Sequence, residues 1–348
     1  MNERQRPLRG VNLGGWLVLE KWMTPSVFSD STAEDEYTLC SLPWADLAKR
    51  LKQHRDTFIT KEDFIWLRDH GIEAVRLPVG YWVFGDEPPY LGTLKYVDKA
   101  FTWAEETGLK VLLDLHAAPG SQNGWDHSGR AGSCDWHKNE QNIIRTLSVL
   151  TELSKRYGKQ PSLLGIELLN EPKWTIPRRK LLKYYESAYR MVRAECGPDV
   201  WVVFHDSFRP RRWKRKLRAP QYAHTYIDTH QYQTFNKKDK KLDVFGHMKK
   251  TLKKLPKQLR SMAKRHPVIV GEWSLALDPL SLNGLDERGV DAAVRAYAAA
   301  QLIAYQDTAA WFFWSYKTES SGMWSYRNAI ELGWLPENKN PAPVVEPD

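Results

Sequence analysis

The chain has 348 residues, of which 42% are hydrophobic and 12% aromatic, and its formal net charge is +9. This composition excludes an intrinsically disordered protein, because disordered chains lack the apolar residues that a core requires. The three cysteines, Cys40, Cys134 and Cys196, are too few and too widely spaced for a disulfide scaffold or a zinc site. No apolar run approaches the ~18 residues of a membrane-spanning helix. The length is compatible with one α/β barrel or with two domains.

The first nine residues are polar and charged, and a strand-like segment follows them directly. A secretory signal would need an apolar stretch there, so none is visible. Together with three cysteines that have no evident partner, this favours a cytoplasmic protein. The alternative is a secreted or periplasmic protein from which the signal has been removed.

Eight short apolar segments, rich in β-branched residues, predict β-strands along the chain. Their apolar residues are nearly continuous rather than alternating, as expected for strands that are buried on both faces. The predicted strands are residues 9–13, 74–79, 110–116, 163–170, 201–205, 223–232, 267–273 and 309–316.

Amphipathic stretches between these strands predict helices. Thr60 and Asp63 resemble a capping box at a helix start, and Gly71 is typical of a helix end. Residues 139–157, 178–196 and 286–305 each place apolar side chains on one face. A further set predicts one outer helix with a basic solvent face, and it consists of Phe245, Met248, Leu252, Leu255, Leu259 and Met262.

Repeated alternation of strand and helix predicts an α/β protein with a single (β/α)₈ TIM barrel. We expect one catalytic domain over residues 1–348, with the barrel core at about 8–335 and an extended tail at 336–348. A doubly wound open sheet is the alternative, but no Gly-x-Gly-x-x-Gly motif follows the first strand. Residues 14–59, 119–138 and 206–222 are too long for minimal connections, so they predict long loops on the C-terminal face.

Polar or aromatic side chains occur at the C-terminal end of almost every predicted strand. The catalytic groups of an α/β barrel lie at this end, and an apolar strand has no structural need for a terminal Glu. In chain order, these residues are Glu20, Arg76, His116, Asn170, Glu171, His205, Asp206, His230, Tyr232, Glu272 and Trp314.

Two of these carboxylates, Glu171 and Glu272, follow strands four and seven, which face each other across the mouth of a barrel. Glycoside hydrolysis needs such a pair, one to protonate the leaving oxygen and one to attack the anomeric carbon or to activate water. We expect Glu171 to be the general acid, with its pKa raised by burial and by the charge of Glu272. We expect Glu272 to stay ionised, helped by Arg76 and by hydrogen bonds from Tyr232 or His230.

Aromatic side chains near the strand ends are candidate sugar platforms, because indole rings bury the apolar faces of sugars. These candidates are Trp16, Trp125, Phe235 and Trp314. Structural roles are open for single residues: a strand-end Glu or Arg76 can belong to an ion pair, and His205 or Trp314 can belong to the core. The functional prediction depends on the complete set.

Several segments resemble the exo-β-1,3-glucanase group of glycoside hydrolase family 5. They occur in the same order as in that group, from about residue 8 to residue 335. The Asn-Glu-Pro motif at 170–172 is weak alone, whereas the ordered set is specific. The segments are residues 9–20, 116–124, 169–172, 205–208, 230–235, 271–274 and 314–319.

This resemblance implies a retaining barrel enzyme without metal or cofactor, in which Glu171 is the acid/base and Glu272 the nucleophile. It implies that Glu20 and Asp126 bind hydroxyls of the non-reducing-end sugar and that Trp314 lies beneath that sugar. Trp125 and Phe235 would clamp the next unit, and the catalytic pair would be surrounded by Arg76, His116, Asn170, His230 and Tyr232. The sequence departs from the family at His127, where Asn is common, and at Tyr316, where Trp is usual.

Most of the positive charge is concentrated in two segments. Residues 209–218 hold seven basic residues and no acidic one, and residues 236–257 hold nine lysines and two aspartates. We expect residues 209–218 to lie on the active-site side, since they follow strand five. They are a candidate for binding an anionic surface or glycan; a solvated loop is the simpler alternative, and contact with nucleic acid through Trp213 is disfavoured.

The sequence therefore predicts a retaining β-glycoside hydrolase that acts from the chain end on β-1,3-glucan oligosaccharides or β-glucosides and releases glucose. One alternative is a hydrolase of glycolipids, sterol glucosides, or β-1,6- or β-1,4-glucans. Another is a catalytically weak glycan-binding barrel, which the presence of both Glu171 and Glu272 disfavours.

Overall fold

The computed structural model describes residues 6–337, in which eight parallel strands form a closed barrel. The strands are β1 (Leu8–Asn12), β2 (Ala74–Gly80), β3 (Lys110–Ala117), β4 (Leu163–Glu167), β5 (Trp201–His205), β6 (Thr225–Gln231), β7 (Val268–Trp273) and β8 (Ala310–Phe313). Each strand pairs with the next one along the chain, and β8 pairs with β1. The predicted TIM barrel is confirmed, whereas most of the predicted tail lies outside the described residues.

Helices pack around this sheet, most of them between consecutive strands. They are α1 (Glu36–Cys40), α2 (Leu47–Thr57), α3 (Lys61–Asp69), α4 (Leu94–Thr107), α5 (Glu140–Tyr157), α6 (Arg178–Cys196), α7 (Val244–Lys253), α8 (Leu255–Ala263), α9 (Glu287–Tyr305) and α10 (Tyr326–Glu331). The predicted capping box is present, since the Thr60 and Asp63 side chains cap α3. Within residues 6–337, no helix combines the length and hydropathy needed to cross a membrane.

The prediction of one helix beneath the lysine-rich segment is wrong, because two helices meet at Lys254. Pro256 has no N–H to donate to the carbonyl of Leu252, so a continuous helix cannot form there. The break changes which face is buried: α7 buries Val244, His247 and Thr251. Phe245 is instead 79% exposed and Leu252 is 41% exposed.

Two of the predicted long loops fold together at one side of the barrel mouth. Residues 14–59 form a small apolar cluster of their own, which includes Leu19, Phe28 and Leu51. The backbone N–H of Tyr37 donates to the carbonyl of Gly129 at 2.9 Å, which ties this loop to residues 119–138. These contacts hold the side chains of both loops in fixed positions above the barrel.

The connection between β5 and β6 differs from the other strand-helix units. Residues 206–224 contain the 3₁₀ turn Pro210–Trp213 but no α-helix. The buried indole of Trp213 packs against Tyr185 and Phe204 and so covers the outer surface of the barrel where a helix would lie. The basic residues 209–218 therefore lie along the outside of the barrel, and none of them lines its mouth. The segment still touches the wall of the mouth pocket, because Arg212 Nη1 donates to the carbonyl of Trp174 at 3.2 Å.

Candidate active site

The C-terminal mouth of the barrel opens into a pocket of about 660 Å³. Ten of the thirteen residues predicted for the site line it, and the other three, Arg76, Asn170 and His230, are buried among them. The ten lining residues are Glu20, His116, Trp125, Asp126, His127, Glu171, Tyr232, Phe235, Glu272 and Trp314. Closure of the barrel thus brings together side chains from distant parts of the chain.

The two carboxylates of the predicted catalytic pair approach the same imidazole. His230 Nδ1 lies 2.6 Å from Glu171 Oε1 and 3.3 Å from Glu272 Oε2. The separation of these two oxygens cannot exceed the sum of the two distances, which is below the ~6.5 Å at which the carboxylate spacing of inverting glycosidases begins. A spacing this short fits direct attack by one carboxylate.

Arg76 on β2 is completely buried and holds the floor of the pocket together. Its Nη1 donates to Glu272 Oε1 at 3.1 Å, and its Nε donates to Glu167 Oε2 at 2.7 Å. Burial acts to lower the pKa of Arg76, but the charges of Asp114, Glu167 and Glu272 raise it well above the ordinary value. Arg76 is therefore a permanent cation that fixes one oxygen of Glu272. The contacts that make Arg76 part of a structural ion pair are therefore the same contacts that orient Glu272.

The second oxygen of Glu272 is fixed from β6. Tyr232 Oη donates to Glu272 Oε2 at 2.8 Å. Beneath it, Asp228 accepts from the backbone N–H of Gly271 at 2.6 Å and lies 3.2 Å from His230 Nε2. A Cβ at position 271 would lie 2.0 Å from the Asp228 carboxylate, so only glycine permits this carboxylate to lie beneath His230.

The predicted order of the two carboxyl pKa values is reversed in this site. Burial acts to raise the pKa of Glu171, but the charge and hydrogen bond of His230 bring it below the ordinary value. Burial and the charge of Glu171 raise the pKa of Glu272 to about 7 against the opposing effects of His230 and Arg76. The sequence patterns placed the two carboxylates but did not reveal the cation between them.

His230 carries that cation because carboxylates surround it. Burial acts to lower its pKa, but Glu272, Asp228 and Glu171 raise the pKa well above its ordinary value. His205, whose role was open, behaves differently: burial and the neighbouring His230 lower its pKa to about 3. Its Nδ1 accepts from the Ser207 backbone N–H at 3.0 Å, as expected for a neutral core histidine.

His116 and Asn170 hold the opposite side of the pocket. Burial is the main cause that lowers the pKa of His116 to about 4, and its Nδ1 lies 2.6 Å from Asp114 Oδ2. The neutral ring stacks on Trp314 with an interplanar angle of 12° and a centroid distance of 5.4 Å. Trp314, at the end of β8, is thereby fixed as a flat apolar surface beside the catalytic pair.

Carboxyl groups from the long loops complete the pocket. Trp22 Nε1 donates to Glu20 Oε2 at 2.7 Å, and burial together with the nearby charge of Asp126 raises the pKa of Glu20 well above its ordinary value. His127 Nε2 lies 3.3 Å from Glu171 Oε2, the oxygen that does not contact His230. These groups offer acceptors and donors for sugar hydroxyls next to the catalytic pair.

Aromatic rings form two walls at the pocket entrance. Trp125, Trp174 and Phe208 contact one another with centroid distances of 5.9–6.1 Å. Tyr232, Phe235 and Trp324 form the other wall at 5.5–6.0 Å. Both walls present apolar ring surfaces to a molecule that enters between them.

Sequence reasoning missed several of the pocket residues and misplaced one. It did not single out Trp22, Trp174, Phe208 or Trp324. Phe208 and Trp174 follow a strand end by three and seven residues, which was the available signal, whereas Trp22 and Trp324 lie farther along their loops. Trp16, predicted as a sugar platform, is completely buried, donates to the Arg55 carbonyl and stacks on Trp103. It belongs to the core.

Two sets of buried side chains within residues 6–337 bring potential metal ligands to within 4.8 Å of one another: Glu171, His205 and His230, and Glu167, Asp228 and His230. His230 belongs to both sets, and each of its ring nitrogens already contacts a carboxylate. Arg76 contacts Glu167 directly. A doubly hydrogen-bonded imidazole and an adjacent guanidinium suit an ion-pair network better than a cation site.

The chain is similar to known glycosidases along most of its length. The family model described as cellulase (glycosyl hydrolase family 5) matches residues 41–320. The glucan 1,3-beta-glucosidase of Blumeria graminis is 36% identical over 375 aligned residues, which cover 95% of this chain and 87% of that one. A probable glucan 1,3-beta-glucosidase A of Aspergillus fumigatus is 36% identical over 371 residues, which cover 94% and 87%.

Solved structures share the fold. The rutinosidase from Aspergillus niger superposes with a TM-score of 0.81 at 23% identity, covering 96% of this chain and 99% of that one. Endo-glycoceramidase II from Rhodococcus sp. superposes with a TM-score of 0.57 at 16% identity, covering 92% and 75%. The family model matches most of the chain, and the relatives are about 36% identical over most of their own length. This protein is therefore a β-glycoside hydrolase and belongs to glycosyl hydrolase family 5.

Proposed function

We propose that this enzyme removes glucose from the non-reducing end of β-1,3-linked glucan oligosaccharides and related β-glucosides, with retention of configuration. The observation that carries the proposal is the position of Glu20, Trp22 and Asp126 in the same pocket as Glu171 and Glu272. A sugar whose anomeric carbon faces Glu272 has its outer hydroxyls beside these groups. Such contacts suit a terminal glucose better than a unit inside a longer chain.

In the first step, Glu272 attacks the anomeric carbon and the glycosidic bond breaks. A bond forms between that carbon and a Glu272 oxygen, and the leaving oxygen takes a proton from Glu171. Arg76 and Tyr232 hold the two Glu272 oxygens at 3.1 and 2.8 Å, so the attacking carboxylate is oriented before substrate binds. In the second step, water attacks the same carbon, Glu171 takes its proton and Glu272 is released.

The proton that Glu171 donates comes from His230, which holds it on Nδ1. Transfer from His230 Nδ1 to Glu171 Oε1, across 2.6 Å, converts the ion pair into a neutral imidazole and a protonated acid. The transfer neutralises both His230, whose charge lowers the pKa of Glu272, and Glu171, whose charge raises it. The productive form is thus reached when one proton has left the site and a second is retained between His230 and Glu171.

The two aromatic walls favour a second class of substrate. Trp125, Trp174 and Phe208 lie on one side of the entrance, and Phe235 and Trp324 on the other. Facing rings bury flat apolar groups as readily as sugar faces. β-Glucosides with an apolar aglycone are therefore a second candidate, whose leaving group would lie between the walls.

The experiment is product analysis on laminari-oligosaccharides, cello-oligosaccharides, gentiobiose and an aryl β-glucoside, with Glu272→Gln as control. We expect glucose as the sole initial product from laminari-oligosaccharides, released as the β-anomer, and no turnover by the variant. Release of disaccharides or longer fragments at early times would refute exo action. Initial release of α-glucose would refute retention, and preference for the aryl glucoside over every oligosaccharide would support the second candidate.

A further inference from the structure

A second pocket lies on the outer surface of the barrel, between the 3₁₀ turn Pro210–Trp213 and α8. Its volume is about 350 Å³, and Ile227 of β6 and Met262 of α8 contribute apolar lining. The pocket lies where residues 206–224 form no α-helix, beside the buried Trp213 that covers part of the barrel there. It shares no lining residue with the catalytic pocket.

The polar lining of this pocket is strongly basic. Arg211 and Lys214 enter it from the turn, and Lys257 and Arg265 enter it from α8 and the segment that follows. No carboxylate is among the lining residues, and none of these four cations forms an ion pair within residues 6–337. Gln258 and Ser261 also line it, and their side chains likewise have no hydrogen-bond partner within the described chain. Six donor-bearing side chains thus converge without acceptors.

The four cations are exposed to solvent, but no neighbouring carboxylate in residues 6–337 pairs with them. Elsewhere on these elements, Arg260 of α8 pairs with Asp307 at 3.5 Å, and Lys250 of α7 pairs with Asp239 at 2.6 Å. The four pocket cations instead line one concavity from two parts of the chain that are distant in sequence. Like charges gathered in a concave site repel one another unless a counter-ion is bound.

We propose that this second pocket binds an oxyanion of charge −2 or more, with the chemistry of a phosphoryl group. Arginine presents a planar fork that matches phosphate oxygens, and lysine supplies compact charge. Gln258 and Ser261 provide neutral donors for further oxygens. A pocket of this volume that is open to solvent on one side and partly apolar in its lining suits a compact group, either a free inorganic anion or a phosphate monoester on a carbohydrate or polyol.

Calorimetric titration of the full chain at low ionic strength tests the site, with pyrophosphate as the free anion and glycerol 3-phosphate as the monoester. The variant Arg211→Ala/Lys257→Ala removes one cation from each side of the pocket. The matched control Arg215→Ala/Lys253→Ala removes the same charge, from the connection between β5 and β6 and from the end of α7, but leaves the pocket lining intact. We expect the pocket variant to lose at least about tenfold in affinity, because two charge-assisted contacts are absent, and the control to bind as the parent does.

Thermal unfolding without ligand distinguishes a lost site from a lost fold. Relief of repulsion should leave the unfolding temperature of the pocket variant equal to or above that of the parent, and pyrophosphate should raise it only in the parent and the control. Tighter binding of glycerol 3-phosphate than of pyrophosphate would identify an organic phosphate as the ligand, and the reverse order a free anion. The proposal is overturned if neither anion binds the parent, or if both variants lose affinity equally. Neither outcome bears on the glycosidase activity, which these measurements do not use.

Discussion

Replacement of Tyr232 by Phe tests how the site keeps Glu272 ready for attack. The change removes only the hydroxyl that donates to Glu272 Oε2 at 2.8 Å. The pKa of Tyr232 is raised well above its usual range by burial and by the charge of Glu272, so the hydroxyl remains a donor throughout the working pH range. This hydrogen bond is made to the charged form of the carboxyl and therefore lowers the pKa of Glu272.

A hydrogen bond to a charged group contributes about 1.5–3 kcal/mol. Because Tyr232 is only partly buried, we take the lower end of that range. One pKa unit corresponds to about 1.4 kcal/mol, so the pKa of Glu272 should rise by about one unit from its value of about 7. Glu272 must be ionised to attack, so the acidic limb of kcat/KM should move to higher pH by the same amount. At pH values below the acidic limb, kcat/KM of the variant should be about tenfold lower than that of the parent. At pH values above the limb, Glu272 is ionised in both proteins, so the loss caused by its protonation should disappear.

The assay is the pH dependence of kcat/KM for an aryl β-glucoside, whose acidic limb reports groups of the free enzyme. Tyr305→Phe is the matched control, because the Tyr305 hydroxyl donates to Gln301 at 3.1 Å within α9 and does not line the pocket. Its profile should coincide with that of the parent. The reasoning is refuted if the acidic limb of Tyr232→Phe stays where it is in the parent, or if both variants shift it equally.

Three further predictions concern the buried network and the outer core. Asp228→Asn keeps an oxygen for the Gly271 N–H but removes one of the charges that raise the pKa of His230. The basic limb of the pH profile should therefore move to lower pH. A limb that does not move would contradict the role of His230 in holding the retained proton. Glu167→Gln breaks a fully buried pair with Arg76 and should lower the free energy of unfolding by about 3 kcal/mol in urea titrations. The control Glu152→Gln, in an exposed pair with Lys155, should lower it by less than about 1 kcal/mol. Equal losses of stability in the two variants would refute the expected difference between buried and exposed pairs. Trp213→Ala should destabilise the protein by about 3–5 kcal/mol because the indole is 1% exposed. The control Trp174→Ala removes an indole that is 37% exposed and should cause a much smaller loss of stability in the same assay. Similar losses of stability would show that Trp213 does not take the place of the missing helix.

The barrel and the position of Glu171 and Glu272 together at its mouth were predictable from local patterns. Continuous apolar runs located all eight strands, and strands β4 and β8 end earlier than predicted because residues 168–171 and 314–316 already turn into the mouth. Strand-end position, with the family resemblance, located Glu171 and Glu272. These inferences succeed because a strand that is buried on both faces is apolar in sequence, whatever it contacts.

The contacts beneath the catalytic pair were not predictable in the same way. Glu167 and Asp228 lie within strands, where a period-two pattern shows which residues share a face but not what they meet across the barrel. Glu167 contacts Arg76, which lies 91 positions away in the chain, whereas Asp228 contacts His230 two positions along the same strand. The charge on His230 reverses the expected order of the carboxyl pKa values. Electrostatic effects depend on distance in space, which the order of residues does not contain.

Sequence alone determined which residue types are present: an apolar eightfold repeat, two strand-end glutamates, many aromatic residues and two basic segments that account for the net charge of +9. Only the tertiary structure decided what each of them does. Trp16 is core while Trp22 lines the pocket, because the chain turns after Gly15 and directs one indole inward. The basic residues 209–218 lie outside the mouth because Trp213 attaches their segment to the outer face of the barrel. Chain direction and packing, rather than residue type, made those choices.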